Sequence, residues 1–551
     1  MNIEILPTKS NVPTMRINGF YIHSSYNPIK EAKKLAEKHY VPNALHILYG
    51  YGLGYFAKEL YEKFQFGEEL LVIDPFQTIE DKDERIYFID KENFEDIDKY
   101  LALMMNGGIN VNYVESPNYN KFELETYAKV LEKVRNRKNS KKIENNTLNS
   151  LSNLWFENII YNLYSATKDF SFKKLENNYD VPIVIAAGGP SLTKQLELVK
   201  KYRDKMILIS AGSTVNSLIQ ADVVPDYIVN IDGSKENIRH YKELSNLKIP
   251  YIYGFHSTHE VRELFSEEGY YFGQLNINLD DEILSNIFED DMVRVNGGTS
   301  VAVFCLALAV RMTTAPVALI GQDLAFTNNI SHAENNRNYK EIKLEQHDLK
   351  KVKGYYDDVV LSDPSLISMK EDFEMLMSNF DGSYTIFNCT EGGAKINEME
   401  QMPFDEFCAK YAQKIVSKVK SEKKSDNVRG LKYIEYLKEQ IKIIDSIQKV
   451  VNNSLLILKK DKLKNYFNQK NVKILSKNNR IMEENIEKLN APYIIEKVAL
   501  NVSNNFLPQL NETKEEEFKR IYHQQAFLYE SVIEHVSYMK EIIQKLLCEI
   551  D

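Results

Sequence analysis

Seven short apolar runs between residues 181 and 323 constrain the fold more than any other feature of this 551-residue chain. They are VPIVIAA, KMILISA, DYIVNID, PYIYGF, YYFGQL, DMVRVN and PVALIGQD. Each has the length and the β-branched and aromatic content of a buried strand, and helical patterns lie between many of them. Alternating strands and helices predict an α/β domain with a Rossmann-like, mostly parallel sheet, in which ligands bind at the carboxyl ends of the strands.

Glycine and polar residues end or directly follow five of these runs. Because the carboxyl ends of parallel strands share one edge of a sheet, we expect these residues to form one site. They are Gly188, Gly189 and Ser191; Gly212, Ser213 and Thr214; Asn230, Asp232 and Gly233; Asn296, Gly297, Gly298, Thr299 and Ser300; and Gly321, Gln322 and Asp323.

The first of these turns, AAGGPSL at 186–192, is a candidate anion site. Its glycines leave the backbone open to a ligand, and unpaired N–H groups begin the helix that follows. Ser191 is expected either to cap that helix or to donate its hydroxyl to a phosphate. The turn matches neither GxxxxGK[ST] nor GxGxxG. A tight turn with a capped helix and no ligand remains the alternative.

The other strand ends suggest further roles. The segment NGGTS at 296–300 opens the apolar helix VAVFCLALAV, so a second anion or base-binding site is expected there. Asp232 and Asp323 could bind Mg²⁺, hold ribose hydroxyls or act as a base, or each could cap a turn. His332 lies in the polar loop after the last of these runs, where a mobile acid or base is often placed, and a plain surface histidine is the alternative.

The flanking regions have different patterns. A strand, the turn GYGLGY and a helix precede a second strand that ends in Asp74. This pattern resembles the first motif of S-adenosylmethionine methyltransferases, or it is a structural α/β unit whose glycines serve only tight turns. After about residue 400 glycines nearly vanish and amphipathic helices take over. The predicted domains are a smaller Rossmann-like domain over 1–140, the central domain over 141–400 and a helical domain over 401–551.

Composition excludes several classes of protein. The formal net charge of -10 disfavours nucleic acid and anionic membranes as partners. The 4 cysteines form no CxxC pair, which argues against a zinc or disulfide scaffold. The start MNIEILPTKS has no basic segment followed by an apolar one, and no apolar run reaches the ~18 residues of a membrane span. We therefore expect a cytoplasmic protein without a membrane segment.

Six ordered segments together resemble the motility-associated factor (Maf) glycosyltransferases. They are AAGGPSL, SAGSTVNSLI, PDYIVNIDG, NGGTSVAVFCLALAV, ALIGQDLAFTNNISHAE and NCTEGGAKI. The central domain of that family is MptE-like and similar to bacterial sialyltransferases that carry a GPSL turn. The resemblance implies transfer of a nonulosonic acid, pseudaminic or legionaminic acid, from its CMP-activated form to serine or threonine hydroxyls of flagellin.

The same resemblance assigns residues. Gly188, Gly189 and Ser191 would hold the CMP phosphate; Gly212, Ser213, Asn230 and Asp232 would line the donor pocket; Gly297, Gly298, Thr299 and Ser300 would meet the cytidine. His332, with Asp323 as the competitor, would be the catalytic base. No metal or cofactor is required, although Mg²⁺ and a homo-oligomer stay open. The alternatives are a Mg²⁺-dependent pyrophosphokinase that uses ATP and a non-catalytic flagellar assembly protein.

Overall fold

A computed structural model describes residues 2–550 except 66, 81, 106–109, 245, 247, 266–268, 275–280, 289–291, 344–348, 357, 381, 418–426, 463–465, 490 and 508–511. The chain forms two compact units. The first comprises 1–152, 445–488 and 493–537, and the second comprises 153–444, 489–492 and 538–551. The domain boundaries that the sequence predicts near 140 and 400 stay predictions.

The first unit contains two small sheets. Its elements up to residue 115 are β1 (Ile3–Leu6), β2 (Thr14–Ile17), β3 (Phe20–Tyr21), α1 (Pro28–His39), β4 (Ala44–Tyr49), α2 (Tyr55–Tyr61), β5 (Glu69–Asp74), β6 (Tyr87–Asp90), α3 (Ile97–Met104) and β7 (Asn110–Glu115). The first three strands form an antiparallel sheet, and the other four form a parallel sheet in the order β6-β5-β4-β7. Alternate residues of β4 enter different clusters, Ile47 one and Leu48 the other, so both faces of this sheet are buried.

The second unit is built on a large parallel sheet. After α4 (Leu124–Ala166), which begins in the first unit, its elements are β8 (Phe170–Ser171), β9 (Ile183–Ala186), α5 (Leu192–Lys201), β10 (Ile207–Ala211), α6 (Val215–Gln220), β11 (Tyr227–Asn230), β12 (Tyr251–Gly254), α7 (His259–Leu264), β13 (Gly269–Gln274), α8 (Asp281–Phe288), β14 (Arg294–Val295), α9 (Val301–Met312), β15 (Val317–Ile320), β16 (Lys350–Lys353), β17 (Val359–Ser362), α10 (Pro364–Ser378), β18 (Ile386–Asn388), β19 (Glu400–Gln401) and α11 (Phe404–Tyr411). All seven predicted strands are present.

The strand order places a switch point beside β9. The sheet runs β14-β13-β12-β11-β10-β9-β15-β18-β19, with β8 beside β13, and all of its pairs are parallel. From β9 the chain proceeds to β10 on one side, whereas β15 joins β9 on the other side. At such a point the connections leave on opposite faces and open a crevice. The AAGGPSL turn follows β9, so it lies at this crevice.

Helix α9 covers one face of the sheet. Nearly all of its residues are buried, as the apolar sequence predicts, and Phe304 and Cys305 pack in the same cluster as Ile183 and Ile185. On the opposite face, Phe407 and Cys408 of α11 pack with Val184 and Ala186. Both faces are therefore covered, as expected for a parallel sheet.

Long helices complete the chain: α12 (Val428–Lys462), α13 (Gln469–Ile486), α14 (Pro492–Asn505) and α15 (Lys514–Ile550). The α/β fold class is thus confirmed, with a large parallel sheet, a smaller parallel sheet before it and a helical region at the C-terminus. Among the described residues, no helix has the length and apolar character to cross a membrane.

Candidate active site

The turn after β9 packs against the turn after β15. The Gly189 N–H donates to the Gly321 carbonyl at 2.7 Å. A Cβ at Gly189 would meet that carbonyl at 2.5 Å and would also collide with the Asp323 carboxylate. Glycine at 189 is therefore required for the contact between two strand ends, and its N–H is already bonded.

Asp323 binds the start of α5. Its carboxylate, which is 2 % exposed, accepts from the Ser191 hydroxyl at 2.5 Å, from the Ser191 N–H at 3.2 Å and from the Thr327 hydroxyl at 2.7 Å. Burial raises the pKa of Asp323, and the hydrogen bonds from Ser191 and Thr327 oppose that shift. The Ser191 hydroxyl makes no capping bond to α5. This arrangement favours a clamp between two turns as the role of Asp323 and Ser191.

The loop that carries His332 closes over Gly188. The Ala333 N–H donates to the Gly188 carbonyl at 2.9 Å, and the Glu334 N–H donates to the Thr193 hydroxyl at 3.1 Å. A Cβ at Gly188 would stand 3.4 Å from Cδ2 of His332. The structure therefore brings together two residues that the sequence places 144 positions apart, at the predicted crevice.

His332 has the properties of a base at neutral pH. Its ring is half-buried, and burial followed by the charge of Lys340 lowers its pKa, so the imidazole is neutral. Its Nδ1 is buried and, within the described part of the chain, has no hydrogen-bond partner. The ring edge that faces Gly188 carries Cδ2, the carbon bonded to Nε2. A neutral imidazole in this position can accept a proton.

Two further residues lie at this site: Asn336, which was not singled out from the sequence, and Thr214, which the sequence placed only among the polar residues after β10. Asn336 places its Nδ2 3.1 Å from the Cβ position of Gly188, and Thr214 places its hydroxyl 3.2 Å from it. Both side chains are buried. Asn336 is one of several asparagines in the loop, so only the closure of the loop over Gly188 distinguishes it from its neighbours.

The predicted donor-pocket residues after β10 and β11 have different environments. Gly212 adopts a φ of 55° and begins a short 3-10 helix with Ser213 and Thr214. Asn230 is fully buried and bonded to Tyr251, Asn237 and the Asp232 N–H, which indicates a structural role. The Asp232 side chain is exposed, and its carboxylate accepts from the Ser234 N–H at 2.8 Å.

The NGGTS turn lies at the start of α9. Ser300 caps the helix by accepting from the Ala302 N–H, and the Thr299 N–H and hydroxyl both donate to Asp372. Gly297 and Gly298 line a cleft of about 500 Å³ between α9 and α10. A Cβ at Gly212 would be 3.6 Å from Val301, so this turn adjoins the end of β10.

Asp232 and Asp323 do not converge. They follow β11 and β15, which are three strands apart in the sheet, or about 14 Å at the usual strand spacing. One Mg²⁺ ion, with ligands at about 2.1 Å, cannot bridge them. Over the ranges that the structure describes, no group of three or more metal-binding side chains could hold an ion.

The glycine turn after β4 is occupied by the protein itself. A Cβ at Gly50 would collide with the ring of Tyr119, and one at Gly52 would meet Nε2 of His23 at 2.5 Å. The Tyr119 hydroxyl donates to Asp74 at 2.8 Å and accepts from the Gly52 N–H at 2.9 Å. The contacts that a nucleotide would make in a Rossmann unit are thus made by a tyrosine, which favours the structural interpretation of this turn.

Two comparisons with known proteins found matches to this chain. Residues 157–329 match the family model described as "6-hydroxymethylpterin diphosphokinase MptE-like". A solved structure of a MAf glycosyltransferase from Magnetospirillum magneticum AMB-1 matches with a TM-score of 0.60 and 12% identity, over 100% of this chain and 95% of that one. No curated protein matches.

One match concerns the central segment of the chain, and the other concerns the fold over its whole length. The central segment is similar to the MptE-like family model, and the fold of the chain is similar to that of the solved Maf glycosyltransferase. Both agree with the resemblance predicted from the six sequence segments.

Proposed function

We propose that this chain is a glycosyltransferase that moves a nonulosonic acid from a CMP-activated donor to serine or threonine hydroxyls of flagellin. The observation that carries the proposal is the neutral His332 beside Gly188 at the switch point of the sheet. The fold shared with a solved Maf glycosyltransferase supports the same reaction class. The proposal needs no metal or cofactor and places the reaction in the cytoplasm, before flagellin is exported.

The reaction requires one bond exchange and one proton transfer. The bond between the anomeric carbon and the phosphate oxygen of CMP breaks, and the phosphate leaves with the electron pair. The anomeric carbon, which carries positive charge in the transition state, bonds to the acceptor oxygen. His332 takes the proton of the acceptor hydroxyl as that bond forms, and hydrogen-bond donors around Gly188 stabilise the leaving phosphate.

Transfer and nucleotide binding are measured separately to test this. Purified protein is incubated with flagellin and CMP-pseudaminic or CMP-legionaminic acid, and modification is read from the intact mass of flagellin. We expect His332→Ala to abolish transfer while CMP affinity, measured by calorimetry without metal, stays within about two-fold. His523→Ala, at an exposed position of α15, is the matched control and should retain activity. Unchanged transfer by His332→Ala would move the base to Asp323.

The pyrophosphokinase alternative has one observation in its favour, the name of the matching family model. It requires Mg²⁺ to hold ATP, and Asp232 and Asp323 are too far apart to share one ion. Calorimetry with ATP and Mg²⁺ is the comparator. Metal-dependent binding of ATP with no response to CMP would replace our proposal with this alternative, whereas CMP binding that is lost in Gly188→Trp would support sugar transfer.

A further inference from the structure

Two buried nitrogen atoms, one in the loop over Gly188 and one in a segment bonded to that loop, have no hydrogen-bond partner in the part of the chain that the structure describes. Asn336 is 4 % exposed and His240 is 5 % exposed. Nδ2 of Asn336 and Nδ1 of His240 are both buried and have no hydrogen-bond partner among the described residues. A buried donor without a partner loses the hydrogen bond it would make to water, so such groups are usually kept for a ligand or an ordered water.

Both atoms are hydrogen-bond donors. Asn336 accepts from the Asn338 N–H through its Oδ1 at 2.9 Å, which fixes the amide orientation and leaves the NH₂ group unpaired. Nε2 of His240 lies 3.5 Å from Nε of Arg239 and accepts from it, so the proton of the neutral ring is on Nδ1. Burial, then the charges of Arg239 and Arg337, lower the pKa of His240 to about 4, which keeps the ring neutral.

The two donors belong to segments that are bonded to each other. Arg239 donates to the Asn338 side chain at 2.8 Å, and Arg337 donates to the Arg239 carbonyl. Arg337 also pairs with Glu243 at 2.6 Å. The loop over Gly188 is therefore tied to the 3-10 helix Lys235–His240, and the guanidinium groups add positive charge in a protein whose net charge is negative.

We propose that Asn336 Nδ2 and His240 Nδ1 form an oxyanion subsite that binds one acidic group of the donor substrate, either its phosphate or the carboxylate of its sugar. This inference rests on the proposed function and adds to it a division of roles. His332 accepts the proton, whereas Asn336 and His240 donate hydrogen bonds to negative charge. Neutral donors in a buried site hold an oxyanion without the desolvation cost of a buried cation.

The test exchanges the Asn336 donor for an acceptor. Asn336→Asp keeps the shape of the side chain but places a carboxylate where the oxyanion would bind, so we expect at least about ten-fold weaker binding. Asn335→Asp is the matched control, because Asn335 is exposed and its φ of 62° is one that aspartate tolerates. His240→Phe removes the second donor and keeps an aromatic ring. Thermal unfolding of each variant confirms that it is folded.

Three probes distinguish the source of the oxyanion: CMP, ATP without metal, and N-acetylneuraminic acid. If Asn336→Asp selectively loses binding of CMP or ATP, the subsite binds phosphate. If it selectively loses binding of N-acetylneuraminic acid, the subsite binds the carboxylate. Either result supports the subsite. Equal affinity of Asn336→Asp and Asn335→Asp for every probe that binds would overturn it and leave the proposed function standing. If the wild-type protein bound none of the probes, both proposals would fail.

Discussion

At the scale of single residues, two aspartates at equivalent positions have different roles. Asp232 and Asp323 each follow a parallel strand, and the sequence alone treats them alike. The structure exposes Asp232 and buries Asp323 against Ser191 and Thr327. The sequence could not separate them, because the partner Ser191 lies 132 positions away from Asp323 and meets it only when β9 pairs with β15.

This difference predicts unequal effects on stability. Asp323→Ala leaves the Ser191 N–H and two hydroxyls without their acceptor, so we expect the free energy of unfolding to fall by about 1–3 kcal/mol. Asp232→Ala removes one exposed bond and should change it by less than about 1 kcal/mol. Urea unfolding followed by circular dichroism measures both. Equal effects would contradict the clamp.

The environment of His332 predicts the pH dependence of transfer. The base must be neutral to accept a proton, and burial and Lys340 both lower its pKa. Transfer should therefore lose activity on acidification only below the ordinary histidine value of about 6.5. Lys340→Gln removes a positive charge that repels the protonated ring, so it raises the pKa of His332. The acidic limb of the pH profile of transfer should therefore move to higher pH. A limb that did not move would show that another group sets it.

At the scale of elements, the two glycine turns show what a sequence pattern leaves open. The turns after β4 and β9 both follow a buried strand and precede a helix. Tyr119 fills the first, whereas Asn336, Thr214 and His332 surround the second, where Asn336 Nδ2 and His332 Nδ1 have no hydrogen-bond partner among the described residues. The occupant of each turn comes from a distant part of the chain, so the local pattern predicts the turn but not its use.

The contacts of Tyr119 at the turn after β4 give a further prediction. Tyr119→Phe removes the hydroxyl that links Asp74 to the Gly52 N–H, and Asp74 is fully buried. We expect a loss of about 1–3 kcal/mol in stability, because two buried groups lose a partner. Calorimetry of the wild-type protein with S-adenosylmethionine should show no binding. A measurable affinity would restore the cofactor interpretation of this turn.

At the scale of the whole molecule, the sequence predicts the parts of the fold that local patterns specify. The seven central strands and the buried α9 follow from apolar runs, and their parallel arrangement follows from the helices between them. The strand order and the closure of the loop 329–342 over Gly188 depend on contacts between distant segments. The position of His332 in the polar loop was enough to predict it as a candidate. Asn336 and His240 were identified only from the structure, because their place depends on these distant contacts.

The compact units are also assembled from distant segments. Residues 538–551 and part of α12 belong to the same unit as the central sheet. Within that unit, the Tyr433 hydroxyl donates to the Ile160 carbonyl of α4 at 2.8 Å, and Tyr433 is fully buried. Helix α12 therefore contributes to the core of the unit that carries the candidate site.

This assembly predicts that a substitution in α12 destabilises the unit that carries the candidate site. Tyr433→Ala removes a buried ring, and we expect unfolding to become easier by about 3–5 kcal/mol, as for other large aromatic truncations. Leu431→Ala on the same helix is the matched control, because Leu431 is 57% exposed and should cost little. Thermal unfolding of the two variants measures the difference. If Tyr433→Ala unfolded like its control, α12 would not support the core of the unit that carries the candidate site.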